Sequence, residues 1–219
     1  MGRLKSDKIP FFENGTDNVR CMPACVRSAV SHLLPEEKWS GERVEKLVGF
    51  QPSKMTWPMK SYLELSKLGL DVVVYDPMDF ERFATSPKEY MTEAFGEDLT
   101  KLYYEKSDVE GAVKDTKNLL ESDVKLNIVV PDYSNLKQLH SDGYLSICHI
   151  DQNQLIGLDT PGDHSILVFD VTDNGVTAHN PGPPPTANQY IERDFFNYLW
   201  SYPTDEVKTI LALKNPKIS

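Results

Sequence analysis

The sequence predicts an α+β fold, and three observations carry that prediction. Helical periodicity and helix-cap signals crowd the first half of the 219 residues. Alternating apolar and polar residues take over in the second half. A turn signal, Thr172-Asp173-Asn174-Gly175, joins two strand candidates there. Helices first and a mainly antiparallel sheet second imply one domain, 1–219, with a mainly helical lobe over 1–122 and a mainly β lobe over 123–219.

The elements follow in order. Met22, Val26, Ala29, Val30 and Leu33 share one stripe of a helix over 22–34, and Pro23 suits its first turn. Ser40 precedes a short helix at 41–48 that stops before Gly49. A third helix, 58–68, has Pro58 near its start and Gly69 at its end. Leu70 to Tyr75 reads as a strand. Ser86-Pro87-Lys88-Glu89 and Ser107-Asp108-Val109-Glu110 have capping-box spacing, so helices should follow both. Strands are expected at 124–130, 144–150, 165–171, 176–179 and 207–214, with helices near 134–141 and 191–200. Pro181-Gly182-Pro183-Pro184-Pro185 is a rigid loop that cannot continue a central strand. No repeat is visible. Trp39, Trp57 and Trp200 are expected in the core or between lobes.

Bulk properties remove several function classes. A hydrophobic fraction of 40% with 10% aromatics belongs to a folded chain. A formal net charge of −10 argues against a surface for nucleic acid or anionic membrane, which needs basic patches. No stretch approaches the roughly 20 apolar residues of a membrane span. The first eight residues lack the apolar segment of a signal peptide. Three cysteines, an odd number, do not form a disulfide framework, and a reducing cytoplasm is the simplest compartment. His149, Asp151, His164 and His179 match no zinc-ligand spacing, and no cofactor or metal is expected. The charged residues over 97–121 read as a solvated helical face, or as a lid over a cleft.

One constellation can carry chemistry. Cys21 stands at the start of the first helix, where unpaired N–H groups and the helix dipole favour a thiolate, and a thiolate is a nucleophile. Cys25, one turn further in, should pack as a small hydrophobe. His164 opens an alternating strand and can take the thiol proton and return it to a leaving group. Asn180 can accept the other ring N–H and so orient the imidazole without adding charge.

The hairpin after His164 tests this reading. A two-residue Asn174-Gly175 turn pairs Asp173 with Val176 and sets His164 opposite Pro185, about 16 Å along the strand from Asn180. A four-residue loop closed by Asp170 and Gly175 sets His164 opposite Pro181, next to Asn180. The catalytic reading therefore expects a wider loop, or a bulge, around 171–174.

Taken together, these residues resemble the C39-like peptidase group of the papain-like cysteine proteases. The similar segments are Cys21-Met22-Pro23-Ala24, Gly162-Asp163-His164-Ser165-Ile166-Leu167-Val168 and Asn180-Pro181-Gly182. Gly143 to Ile147, Asn153-Gln154-Leu155 and Phe195 to Trp200 add to it. The resemblance covers most of the chain, weakly between about 75 and 125. It implies a papain-like fold, with a nucleophile helix in an N-terminal helical lobe packed on the sheet. It also implies a peptide or amide substrate and a thioester intermediate. Three departures stand out. Met22 replaces a glycine and adds bulk beside the nucleophile. Asn180 replaces an aspartate. The glutamine that the family places about six residues before the cysteine is absent; Asn14 is the nearest equivalent as oxyanion donor, with Asn18 behind it. The same residues are compatible with two other functions: a peptide-binding module without turnover, and an acyltransferase.

Overall fold

The computed structural model describes residues 9–160 and 162–217. Ten α-helices and a seven-stranded sheet are found among them. The helices are α1 (Cys21–Leu33), α2 (Gly41–Val48), α3 (Met59–Lys67), α4 (Phe80–Thr85), α5 (Pro87–Phe95), α6 (Glu97–Lys106), α7 (Val109–Leu120), α8 (Tyr133–Ser141), α9 (Gln152–Leu155) and α10 (Arg193–Trp200). The strands are β1 (Asp71–Tyr75), β2 (Lys125–Asn127), β3 (Leu145–Asp151), β4 (Asp163–Val171), β5 (Gly175–Asn180), β6 (Thr186–Glu192) and β7 (Ile210–Lys214), in the spatial order β2-β1-β7-β3-β4-β5-β6. The α+β class expected from sequence is what forms.

The sheet is mixed rather than wholly antiparallel. β1 and β2 run parallel, with Val74 opposite Leu126. A parallel pair needs a long crossover, and α4 to α7 supply it. β1 comes from the helical half of the chain, so the sheet draws on both sides of residue 122. β2 is shorter than the strand expected at 124–130, since Ile128, Val129 and Val130 lie exposed beyond its end. β7 likewise begins three residues later than expected, after a 3₁₀ turn at Asp205–Val207.

Apolar alternation gives the sheet two covered faces. Leu145, Ile147, Leu167, Phe169, Leu211 and Leu213 join a core with α1, α2, α3, α4, α5 and α7. Cys148, Ile150, Ile166, Val168 and Ala212 join a second core with α8 and α10. The α1 stripe behaves as its spacing predicts: Val26, Ala29, Val30 and Leu33 are buried, and Met22 packs against the same core. Trp39 and Trp200 are buried. Trp57 is part-buried, with ring centroids 5.1 Å from both Phe83 and Tyr103.

Two cap assignments change. The Ser86 side chain makes no cap hydrogen bond, although α5 follows it. At α7 the cap is Asp108, one residue later than read, and its carboxylate accepts from the Gly111 N–H. β6, α4 and α9 have no counterpart in the sequence reading. No helix among the described residues is long and apolar enough to cross a membrane.

Candidate active site

Cys21 is the first residue of α1 and is half-buried. Arg20 precedes it without a side-chain cap. The cap comes instead from Asn14, whose Oδ1 accepts the Arg20 N–H at 2.6 Å. The Asn14 Nδ2 donates to the Gly182 carbonyl at 3.1 Å, and its backbone N–H donates to the Pro181 carbonyl at 2.8 Å. Asn14 thus ties the entry of α1 to the loop after β5. Asn18, the fallback, sits in an exposed turn at positive φ.

The Cys21 sulfur lies against Ser165, the residue after His164, and its polar neighbours are the Ser165 backbone and hydroxyl and the Met22 backbone. Burial pushes the thiol above its ordinary range, the Ser165 contacts oppose that, and the charge of Asp163 adds to it. The resting group is therefore a thiol. Met22, the bulkier residue beside the thiol, packs toward the core with its sulfur 3.9 Å from the Ser165 hydroxyl. Cys25 is buried, and burial holds its thiol well above the ordinary range. Its S–H donates to the Ser165 carbonyl at 3.3 Å. Cys148 is fully buried in the second core.

His164 is buried near the start of β4, and its Nε2 lies 2.9 Å from Asn180 Oδ1. Burial lowers its pKa below the ordinary imidazole value, and the Asn180 bond works in the other direction. Asn180 is 1% exposed at the end of β5. Its Oδ1 also accepts the Gly182 N–H at 2.9 Å. Its Nδ2 donates to Gln152 Oε1 at 3.3 Å and Gln189 Oε1 at 3.0 Å. Gln152 in turn donates from Nε2 to the Pro183 carbonyl at 2.7 Å. The structure therefore joins His164 to Asn180 directly and brings Cys21 to the neighbouring residue. Cys21 and His164 are not hydrogen-bonded to each other.

The hairpin solves the register problem by a route the sequence reading did not anticipate. The turn is two residues long but shifted by one: Thr172 and Gly175 close it, with Thr172 N–H donating to Gly175 O at 2.9 Å. The bulge lies at Phe169, between the Val168–Ala178 and Asp170–Thr177 pairs, not within 171–174. The Leu167–His179 pair carried on toward the start of β4 sets His164 level with Gly182, two residues past Asn180. Tertiary contacts select this turn. The Asn174 carbonyl accepts from the Arg193 N–H and the Tyr190 hydroxyl, each at 2.9 Å. Gly175 is needed for close packing, because a Cβ there would sit 2.3 Å from the Ile191 carbonyl.

Beside the thiol lies a charged group. His149 on β3 pairs with Asp163 at 3.5 Å, and the Asp163 charge also acts on Cys21 and on the Tyr103 phenol of α6. α6 belongs to the 97–121 segment read from sequence as a solvated face or lid. Asp76, just past β1, is buried and pushed up to about 6 by that burial. Among the described residues no cluster of metal-ligating side chains forms. Gln152 and Gln189 went unread, because two glutamines 37 positions apart follow no pattern. No family model matches the chain, and the search of curated proteins gives no match.

Proposed function

We propose that the protein is a papain-like thiol hydrolase, of the kind its C39-like segments suggest, acting on a peptide or amide. The observation that carries the reading is the His164–Asn180 bond, next to a thiol that begins a helix. Asn180 engages Nε2, which leaves Nδ1 of His164 for proton transfer. The thiol is raised and the imidazole lowered, so both are neutral at rest. On attack, His164 takes the Cys21 S–H proton as sulfur bonds to the carbonyl carbon. The C–N bond breaks, the amine leaves with that proton, and a thioester remains. Water then attacks the thioester, again giving a proton to His164, and the acid departs with the thiol restored. The Cys21 N–H at the helix start is one oxyanion donor. Asn14, drawn from sequence as the second donor, has one amide N–H on Gly182. Its role in this reading is to hold the two loops together.

Intact-mass analysis after incubation with a library of peptide amides and esters tests the proposal. Wild type should carry an acyl adduct on Cys21, Cys21→Ala should carry none, and His164→Ala should form it far more slowly. Adducts on Cys25 or Cys148, or equal rates without His164, would sink it. Activity should rise with pH through an inflection below the ordinary imidazole value of 6.5, since His164 must be neutral to act.

A second reading, peptide binding without turnover, draws on the absence of a hydrogen bond between Cys21 and His164. It predicts retention of the peptide with no adduct. An acyltransferase would differ only in the acceptor, an amine or alcohol in place of water.

A further inference from the structure

We infer that Gln152, assisted by Gln189, is a positioning residue that fixes the proton of His164 on Nε2. Its catalytic meaning rests on the thiol-hydrolase reading above. The tautomer itself does not.

The argument starts from two backbone groups whose polarity cannot change. The Pro183 carbonyl only accepts, so the end of the Gln152 side chain 2.7 Å from it must be the NH₂. The other end, Oε1, is then an acceptor and faces the Asn180 amide. The Gly182 N–H only donates, so the Asn180 atom 2.9 Å from it must be Oδ1. Both constraints agree on one orientation: Nδ2 toward Gln152 and Gln189, Oδ1 toward His164 and Gly182. An oxygen facing His164 Nε2 requires a proton on that nitrogen. The neutral ring then presents a lone pair on Nδ1, the form able to accept a proton from a thiol.

Reversing Asn180 would put two donors against each other at Gly182. It would also face its oxygen toward the acceptors of Gln152 and Gln189. Gln152 is well placed to prevent this. It is 6% exposed, it opens α9, and its backbone N–H donates to the Gly162 carbonyl at 2.8 Å. The neighbouring Asp151 carboxylate accepts from the Gln154 and Gly162 N–H groups at 2.8 and 2.9 Å. The loop that delivers Asp163 and His164 therefore closes on the residues that orient Asn180. Burial makes the lock effective, because an unpaired amide at a site this dry is costly.

The test uses the full chain with nitrogen-15-labelled histidine and Cys21→Ala, which keeps His164 neutral at about pH 8 whether or not the thiol is catalytic. The expected spectrum has His164 protonated on Nε2. Gln152→Met combined with Gln189→Met, checked for an unchanged circular dichroism spectrum, should give a mixture of the two tautomers. If the double variant does not fold, Gln152→Met alone is read in the same way. With Cys21 restored, the methionine variants should lose roughly 10- to 100-fold in kcat with KM unchanged. An unchanged Nε2–H population in the methionine variants overturns the positioning role and leaves the hydrolase reading intact. A wild-type chain that forms no acyl adduct overturns the hydrolase reading and leaves the tautomer result standing.

Discussion

His164 and His149 lie on neighbouring strands and meet opposite chemistry. His149 stands opposite Ser165, one position out of step with His164. His164 meets the neutral Asn180 amide, and burial lowers its pKa, with the Asn180 bond and the Asp163 charge working the other way. His149 meets carboxylates. Burial alone would lower it too, but the charge of Asp163 wins, with Asp76 adding to it, and the net shift is upward. The two imidazoles are tuned apart by what their partners can donate or accept. An amide orients without charging, whereas a carboxylate orients by charging.

The largest effect expected from this contrast is on turnover. His164→Ala should lower kcat/KM for any substrate found by about 10²- to 10⁴-fold. His149→Ala should stay within a few-fold, and equal losses would erase the distinction between the two rings.

Next in size is the Asp76 effect. Its rise from 3.8 to about 6 means that the folded state disfavours the carboxylate. The unfolded chain ionises first as pH rises, so stability falls between about 4 and 6 and stays lower above. A two-unit shift corresponds to about 3 kcal/mol. Asp76→Asn keeps an oxygen for the Met78 N–H, bonded at 2.9 Å, and should therefore stabilise the protein by up to about that amount near neutrality. Urea unfolding should show the gain at pH 7.5 and none below about pH 4. A variant less stable at both values would show that the charge is stabilising.

The smallest effect concerns the His149–Asp163 pair. Its folded pKa is raised, so its contribution is present below 6.5 and fades as pH rises through the folded value. The Asp163 side chain is 86% exposed, so the pair is worth less than about 1 kcal/mol. Asp163→Asn should still lower the His149 titration midpoint seen by NMR, and an unmoved midpoint would assign the shift to Asp76.

Much of this arrangement is legible in the sequence where a short-range rule applies. The α1 stripe, Cys21 at its first residue, and the switch from helical to alternating period all follow from local spacing. The parts that were unreadable depend on contacts between distant residues. β6 follows a proline run and has exposed faces along most of its length, so no apolar alternation marks it. β2 joins β1 in parallel only because four helices return the chain to the right edge. Asn174-Gly175 looks like a tight turn, yet Arg193 and Tyr190 take the Asn174 carbonyl and shift the turn by one residue. The glutamine lock around Asn180 belongs to the same class, since its polarity is set by carbonyl and amide groups of the proline-rich loop.

The Asn14 bridge has a consequence for how the site comes into being during synthesis. Its bonds to Pro181 and Gly182, with the His179 ring nitrogen 3.0 Å from the Ile9 carbonyl, join partners about 170 residues apart. A growing chain presents Cys21 early, when neither the imidazole nor its amide has been made. Under the proposed reading, Cys21, His164 and Asn180 come together only after the loop beyond residue 180 has left the ribosome and closed on the opening segment. On the thiol-hydrolase reading, the emergence of that loop thus sets when Cys21 can act.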